Sequence, residues 1–302
     1  MQDGMAGRHR TRWWAAMLIV VVLIFGVQLV LTSVLSSVWN APQGSLAAHV
    51  QEALSFLVLA ALVIAWVVFF ERRPVKTLGF RRPAAGAVNV AIGILIGVAM
   101  ISIPILIIWT VGGFENVDPP TGSATGASAL ALLVAILVLV LFQAGTEETL
   151  MRGFVLQATA RALPGWLAVV LNALFFAVVH LAFSPLPFIT IFLFGIFAVL
   201  MTLRTSGLWM VAGVHAGWNF AMGNIYGIPV SGLPPQQNSL FYLAPSAGAP
   251  TWLTGGDFGA EGSAVTAIMI LVAALVAWRL VTAATNTRRT SLTSTGPGSD
   301  SL

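Results

Sequence analysis

The sequence predicts an all-α fold: a polytopic membrane bundle of about eight transmembrane helices with both termini in the cytoplasm. Three observations support this prediction. Of the 302 residues, 58% are hydrophobic and only 8% are charged, whereas soluble domains carry about 25% charged residues. Apolar runs recur along the whole chain, most of them near the ~17–25 residues that a bilayer requires. Lys and Arg are confined to one alternating set of the segments between those runs.

The first apolar run, 13–38, follows a basic N-terminal segment, 1–12. It is longer than the roughly 7–15 apolar residues of a signal peptide, and no Ala-x-Ala cleavage site follows it, so we expect a retained first span. Seven further spans are predicted at 53–70, 84–111, 127 to about 147, 166–183, 186–203, 208–225 and 264–284. The first three spans make up a region 13–126.

Two segments of the second half are predicted to lie outside the spans. The outer loop 226–263 is rich in Gly, Pro and Ser, and we expect it to cap the bundle or to be mobile. The tail 285–302 is polar and biased in composition, which predicts a disordered cytoplasmic segment.

The charges predict the orientation of the spans. If the N-terminus is cytoplasmic, every Lys and Arg except Arg152 falls in a cytoplasmic segment or, for Arg279, near the cytoplasmic end of the last span. The predicted outer loops contain only acidic charges, namely Glu52, Glu115, Asp118, Asp257 and Glu261. Such segregation predicts cytoplasmic termini and an even number of spans. We expect an integral protein of a bacterial cytoplasmic membrane.

Composition also limits the chemistry and the partners. The chain has no cysteine, which excludes disulfides, thiolate metal sites and a cysteine nucleophile. No basic cluster lies on a soluble segment, so nucleic acid is not an expected partner. The expected partners are the lipid bilayer and a membrane-associated protein or peptide. The sequence gives no prediction of oligomeric state.

Six polar residues inside the predicted spans are the candidates for function. A charged group in a membrane helix costs roughly 2.5–3.5 kcal/mol even on lenient insertion scales, so such groups usually pair and serve a function. Glu148 and Arg152 are spaced i, i+4 and should form an ion pair. Glu147 points about 100° away from Glu148 around the helix. The other candidates are His180, His215 and Asn219.

Helix geometry predicts that these groups meet. Leu163-Pro164-Gly165 is the natural turn between the fourth and fifth spans. Glu147 and His180 are equally far from it along the chain, and each lies about 25 Å from the turn. His215 lies about 12 Å in from the same face, which matches only if the hairpin protrudes. We therefore expect a shared site rather than separate structural contacts.

This set of residues permits hydrolysis by an activated water. Glu147 could act as general base, and His180 could share the water or protonate the leaving group. His215 and Asn219 could stabilise an oxyanion. Glu147, His180 and His215 also match the ligand set of a catalytic zinc, with Glu148 or Glu147 as base. The spacing does not decide whether the cofactor is zinc or none.

Two other functions use the same residues. A proton-coupled transporter could employ the glutamates and histidines as a relay. A non-enzymatic protein could keep them as a buried polar network that joins the helices.

The motifs Glu147-Glu148-x-x-x-Arg152, Phe176-x-x-x-His180 and His215-x-x-x-Asn219 resemble those of the CPBP intramembrane proteases. That family includes type II CAAX prenyl endopeptidases and Abi-like proteins of bacteriocin processing or immunity. The resemblance covers about residues 127–225 and implies a catalytic core there. It implies an endopeptidase in which Glu147 and His180 activate water while His215 and Asn219 stabilise the oxyanion. The resemblance does not decide between a zinc-dependent mechanism and a metal-free glutamate mechanism. It also specifies the non-enzymatic alternative as a bacteriocin-immunity protein.

Overall fold

The computed structural model describes residues 7–81 and 83–294, and this part of the chain is almost entirely helical. It contains eight main helices. They are α1 (Trp13–Val38), α2 (Leu46–Phe70), α3 (Pro83–Thr110), α4 (Gly126–Ala162), α5 (Gly165–Val179), α6 (Pro185–Thr205), α7 (Trp209–Phe220) and α8 (Ala264–Ser294). The prediction of an all-α polytopic membrane protein is confirmed.

Six of these helices are long and apolar enough to cross a membrane: α1, α2, α3, α4, α6 and α8. The 15 residues of α5 span only about 22 Å at 1.5 Å per residue. Helix α7 has 12 residues, and a π-helical turn at Ala221–Ile225 extends it. Each of the eight predicted spans therefore has a helix at its position, but two of these helices are shorter than a full span.

The ends of two helices differ from the predicted boundaries. Helix α2 begins at Leu46, where the Ser45 hydroxyl caps it by accepting a hydrogen bond from the Ala48 amide. Glu52 therefore lies on a helix and not in the outer loop to which the hydropathy pattern assigned it. Helix α8 continues to Ser294, into the segment predicted to be disordered. The rest of that segment, 295–302, lies outside the described residues.

Helix α7 is at the centre of the bundle. Every residue from Val211 to Trp218 is buried, and the helix packs against α3 and α4. Glycines on both sides permit the close approach to α3. A Cβ on Gly97 would lie 2.0 Å from the Val214 carbonyl oxygen, and one on Gly217 would lie 2.3 Å from that of Ile94.

The outer loop packs on the bundle next to the segment that follows α3. A short antiparallel pair joins β1 (Phe114–Asn116) to β2 (Leu243–Pro245), with Glu115 opposite Ala244. Short helical turns at Thr251–Thr254, Gly256–Phe258 and Ala260–Gly262 follow. The two segments that form this pair were both predicted to be outer loops.

A buried polar cluster gathers chain segments at the opposite end. Glu71 accepts hydrogen bonds from the Thr11 amide at 3.3 Å and from Arg73 Nε at 2.5 Å. The guanidinium of Arg161, near the end of α4, lies 3.7 Å from the same carboxylate. The N-terminal segment, the loop after α2 and the end of α4 therefore meet at one face, as the charge pattern predicts for three cytoplasmic segments.

Candidate active site

Both glutamates lie where α4 changes its helical geometry. Regular α-helix runs from Leu130 to Glu148, and Thr149–Val155 is π-helical and wholly buried. π-Helical turns leave backbone groups unpaired within the helix and frequently occur at functional sites. Here the side-chain amide of Asn172 on α5 donates to the Met151 carbonyl at 2.8 Å. Asn172 therefore stabilises this turn.

Glu148 lies behind the site and binds two partners. Its Oε1 accepts a hydrogen bond from Arg152 Nη1 at 3.0 Å and one from His215 Nδ1 at 2.9 Å. The Glu148 and Arg152 side chains are both fully buried. The guanidinium also lies over the Phe176 ring, 4.4 Å from its centroid. The predicted ion pair is thus present, and it extends to the histidine of α7.

Glu147 faces the cavity, in a different direction from Glu148, as the 100° rotation between consecutive helical residues predicts. Its Oε1 accepts a hydrogen bond from Gln143 Nε2 at 3.3 Å, one turn earlier on α4. Its Oε2 lies 3.8 Å from His215 Nε2. The side chain keeps 18% of its surface exposed, against none for Glu148. Two adjacent carboxylates therefore have different environments, and only Glu147 is open to a reactant.

His180 lies at the end of α5, where the chain leaves the helix through Leu181 at φ 55°. Its Nδ1 lies 2.7 Å from the Phe176 carbonyl oxygen, which can only accept. Nδ1 is therefore the protonated nitrogen of the neutral ring, and Nε2 is left to accept a proton. The Phe176 ring packs against both imidazoles, with centroids 4.5 Å from His180 and 6.1 Å from His215.

The same reasoning fixes the hydrogen-bonding role of His215. Because the Glu148 carboxylate accepts, His215 Nδ1 donates, and Nε2 is the nitrogen that faces Glu147. The Phe194 ring packs 5.2 Å from the imidazole and 5.5 Å from the Trp218 ring, centroid to centroid. Side chains from α4, α5, α6 and α7 therefore hold the imidazole in one orientation.

A single cavity of about 280 Å³ contains the predicted groups. Glu147, His180, His215 and Asn219 all line it, as does Gln143. Glu148 and Arg152 do not line it and form the layer behind it. Most of the remaining wall is apolar and comes from α1, α2, α4, α5 and α6, with residues such as Ile24, Phe56, Leu150, Val179 and Ile191.

Six polar residues of the wall were not among the sequence candidates: Gln28, Glu52, Gln143, Thr190, Ser231 and Glu261. The sequence placed Glu52 and Glu261 in outer loops. Glu261 does come from the outer loop, but it is 93% buried, since only 7% of it is exposed. Its carboxylate accepts hydrogen bonds from Trp218 Nε1 at 2.7 Å and from the Ser231 amide and hydroxyl at 2.9 and 2.8 Å. The outer loop therefore caps the cavity.

A signal for these residues exists in the sequence, but it is weak. Glu52 directly precedes a predicted span and Glu261 lies three residues before another. Acids at span boundaries are also ordinary interfacial residues, so their position alone does not assign them to a site.

The described residues do not form a ready metal site. Among them, no three His, Asp or Glu side chains are grouped closely enough to hold a metal ion. The three candidate zinc ligands, Glu147, His180 and His215, line one cavity. His215 Nδ1 is bonded to Glu148 and His180 Nδ1 to a carbonyl, so Nε2 of each ring is the nitrogen that can bind a water or a metal ion.

Comparison with known proteins identifies the segment that contains this site. The family model described as "Type II CAAX prenyl endopeptidase Rce1-like" matches residues 129–221, which include all three motifs. No curated protein and no solved structure matches the chain. The resemblance derived from the motifs is confirmed over this segment. Helices α4 to α7, which carry all three motifs and part of the cavity wall, are therefore the part of this membrane protein that is similar to the Rce1-like type II CAAX prenyl endopeptidases.

Proposed function

We propose that the chain is an intramembrane endopeptidase that hydrolyses peptide bonds of membrane-associated proteins or peptides. The observation that carries the proposal is the convergence of Glu147, His180, His215 and Asn219 on one cavity of about 280 Å³. These groups come from three helices. Each of them is energetically costly inside a membrane, and groups that persist there despite this cost usually serve a function. The family match at residues 129–221 supports the same activity.

In the proposed reaction, Glu147 removes a proton from a water in the cavity, and the water oxygen attacks the scissile carbonyl carbon. Nε2 of His180, which carries no proton in the neutral ring, either accepts a hydrogen bond from the same water or takes the proton over from Glu147 and delivers it to the leaving amine. Both roles agree with the hydrogen bond that fixes His180 Nδ1 on the Phe176 carbonyl.

His215 and Asn219 are proposed to stabilise the oxyanion of the tetrahedral intermediate. Because His215 Nδ1 donates to Glu148, donation from Nε2 requires the imidazolium form. Glu148 at 2.9 Å and Glu147 at 3.8 Å place a carboxylate beside each ring nitrogen and would stabilise that form. Glu148 then acts as a positioning residue, and Arg152 balances its charge.

Substitution of the two water-activating groups tests the proposal. Glu147→Gln and His180→Ala should each reduce cleavage of a membrane-anchored reporter by at least roughly 10²-fold, because general acid–base groups contribute about 10²–10⁴. Candidate substrates come from comparing membrane-peptide profiles of strains with the wild-type protein and with Glu147→Gln.

His49→Ala is the matched control for the histidine. His49 is also buried, but it bonds to the Ser45 carbonyl on α2 and does not line the cavity. Wild-type cleavage rates in folded, membrane-inserted Glu147→Gln and His180→Ala would refute the proposal. Proton-coupled uptake by proteoliposomes that is lost in Glu147→Gln would indicate a transporter instead.

A further inference from the structure

The cavity has an unusual charge balance for a site that receives a peptide. Three carboxylates line it, Glu52, Glu147 and Glu261, and no Lys or Arg is among its described lining residues. Arg152 lies behind the wall and is paired with the fully buried Glu148. A substrate in this cavity therefore meets three carboxylates, and the positive charge proposed for His215 is already flanked by Glu147 and Glu148.

The three carboxylates differ in what already binds them. Both oxygens of Glu261 accept hydrogen bonds, from Trp218 and Ser231. Glu147 contacts Gln143 and His215. Glu52, on α2, is half-buried and has no hydrogen bond or ion pair with any residue in the described part of the chain, although it lines the same cavity as Glu147. A carboxylate without a partner at this depth is a functional candidate by default.

A second, independent feature indicates that the cavity needs an occupant with polar groups. Thr190 lines the cavity, is only 1% exposed, and its hydroxyl has no hydrogen-bond partner among the described residues. Other buried helical threonines satisfy theirs: Thr146, Thr149 and Thr159 each bond to the carbonyl four residues earlier. The Glu52 carboxylate on α2 and the Thr190 hydroxyl on α6 therefore have no hydrogen-bond partner among the described residues, and a molecule bound in the cavity would supply one.

We propose that Glu52 is a specificity residue that selects substrates with a positive charge, a Lys or Arg side chain or a free amine, beside the scissile bond. This inference rests on the proposed endopeptidase function. In a cavity with mostly apolar walls, an ion pair with Glu52 is stronger than it would be in water. Electrostatic complementarity of this kind sets specificity. A free carboxylate beside the scissile bond would instead meet three acids and no Lys or Arg among the described lining residues.

Binding is tested first, because it does not depend on cleavage. The chain has no cysteine, so Leu233→Cys, at a lining position that is 52% exposed, supplies a single thiol. The rate of its labelling by N-ethylmaleimide is measured in phosphatidylcholine proteoliposomes with decylamine, decanol or decanoate. We expect decylamine to halve the rate at a concentration roughly tenfold lower than decanol does, which corresponds to about 1.4 kcal/mol.

Glu52→Gln in the same background should remove the preference for decylamine. Glu115→Gln is the matched control, since Glu115 is an exposed acid on β1 that does not line the cavity. The bilayer takes up each probe equally for all variants, so the comparison between variants isolates the contribution of Glu52. Equal protection by decylamine with and without Glu52 would overturn the inference.

Cleavage is tested second, with membrane-anchored reporters that carry Lys or Gln at successive positions around the scissile bond. The ratio of kcat/KM for the Lys and Gln reporters should fall about tenfold in Glu52→Gln, while cleavage of the Gln reporter persists. Equal ratios in the wild type and Glu52→Gln would overturn the specificity role. If no reporter is cleaved but the amine preference is found, the endopeptidase proposal fails and the cation site stands.

Discussion

The contact between α3 and α7 makes the site sensitive to a single methyl group. Gly97 on α3 faces the backbone of α7 at Val214, the residue before His215. A Cβ at Gly97 would lie 2.0 Å from the Val214 carbonyl oxygen and 2.8 Å from the Trp218 amide nitrogen. Both obstacles are backbone atoms, so no side-chain rotation can relieve the overlap. We predict that Gly97→Ala displaces α7 and the proposed catalytic groups that it carries, His215 and Asn219.

The geometry gives the size of the displacement. Ordinary contacts of a Cβ begin at 3.4 Å, so the helices must separate by about 3.4 − 2.0 = 1.4 Å along this contact. Overpacking of this kind costs about 1–3 kcal/mol in stability. A misplacement of about 1 Å at a catalytic group can reduce the rate by about 10²-fold. Gly97→Ala should therefore lower the thermal unfolding temperature moderately and reduce cleavage more severely.

Gly145→Ala is the control for this substitution. Gly145 lies on α4, two residues before Glu147, and a Cβ there has nothing within 4 Å. Ala in place of Gly within a helix contributes about 0.5–1 kcal/mol, so this variant should be at least as stable as the wild type. Thermal unfolding and reporter cleavage are measured for both variants in the same detergent. If Gly97→Ala unfolds and cleaves like the wild type, then the close approach of α3 does not position α7.

Two further predictions follow from the buried charges and from the topology. Arg152→Met leaves the carboxylate of Glu148 buried without its main counter-charge and should cost about 3–5 kcal/mol in thermal unfolding. Adding Glu148→Gln should recover part of that loss, and a double variant less stable than Arg152→Met would contradict the ion-pair interpretation. Single cysteines at the exposed positions Arg10 and Asp257 should be labelled from opposite sides of the membrane by an impermeant maleimide. Labelling of both from one side would refute the proposed orientation with cytoplasmic termini.

The positions of the helices could be predicted from the sequence because hydropathy depends on local composition. The predicted run 13–38 coincides with α1, and the turn at Leu163-Pro164-Gly165 separates α4 from α5. The separation of Glu147 and His180 from that turn followed from helical rise alone, and both residues line the cavity. Each of these inferences uses distances along one helix or across one hairpin.

Contacts between segments that are distant in sequence could not be predicted in this way. Glu52 reaches the cavity because α2 begins at Leu46 and passes beside α4, which depends on how the helices pack. Glu261 reaches it because the outer loop folds back so that its carboxylate bonds to Trp218 and Ser231. The glycines of α3 and α7 were unremarkable in sequence, since their role arises only where the two backbones meet.

The two adjacent glutamates explain how a polar site persists in an apolar bundle. Glu148 is fixed by Arg152 and His215 and excluded from the cavity, so its charge serves to hold the imidazole of His215. That imidazole presents its other nitrogen toward Glu147, 3.8 Å away, and Glu147 remains open to a water. If both carboxylates faced the cavity, their mutual repulsion would oppose ionisation of both, and no group would fix His215. If both were buried, no base would reach the substrate. The 100° step between consecutive helical residues separates a structural acid from the proposed base, and it makes Glu147 and Glu148 non-equivalent although they are identical in chemistry.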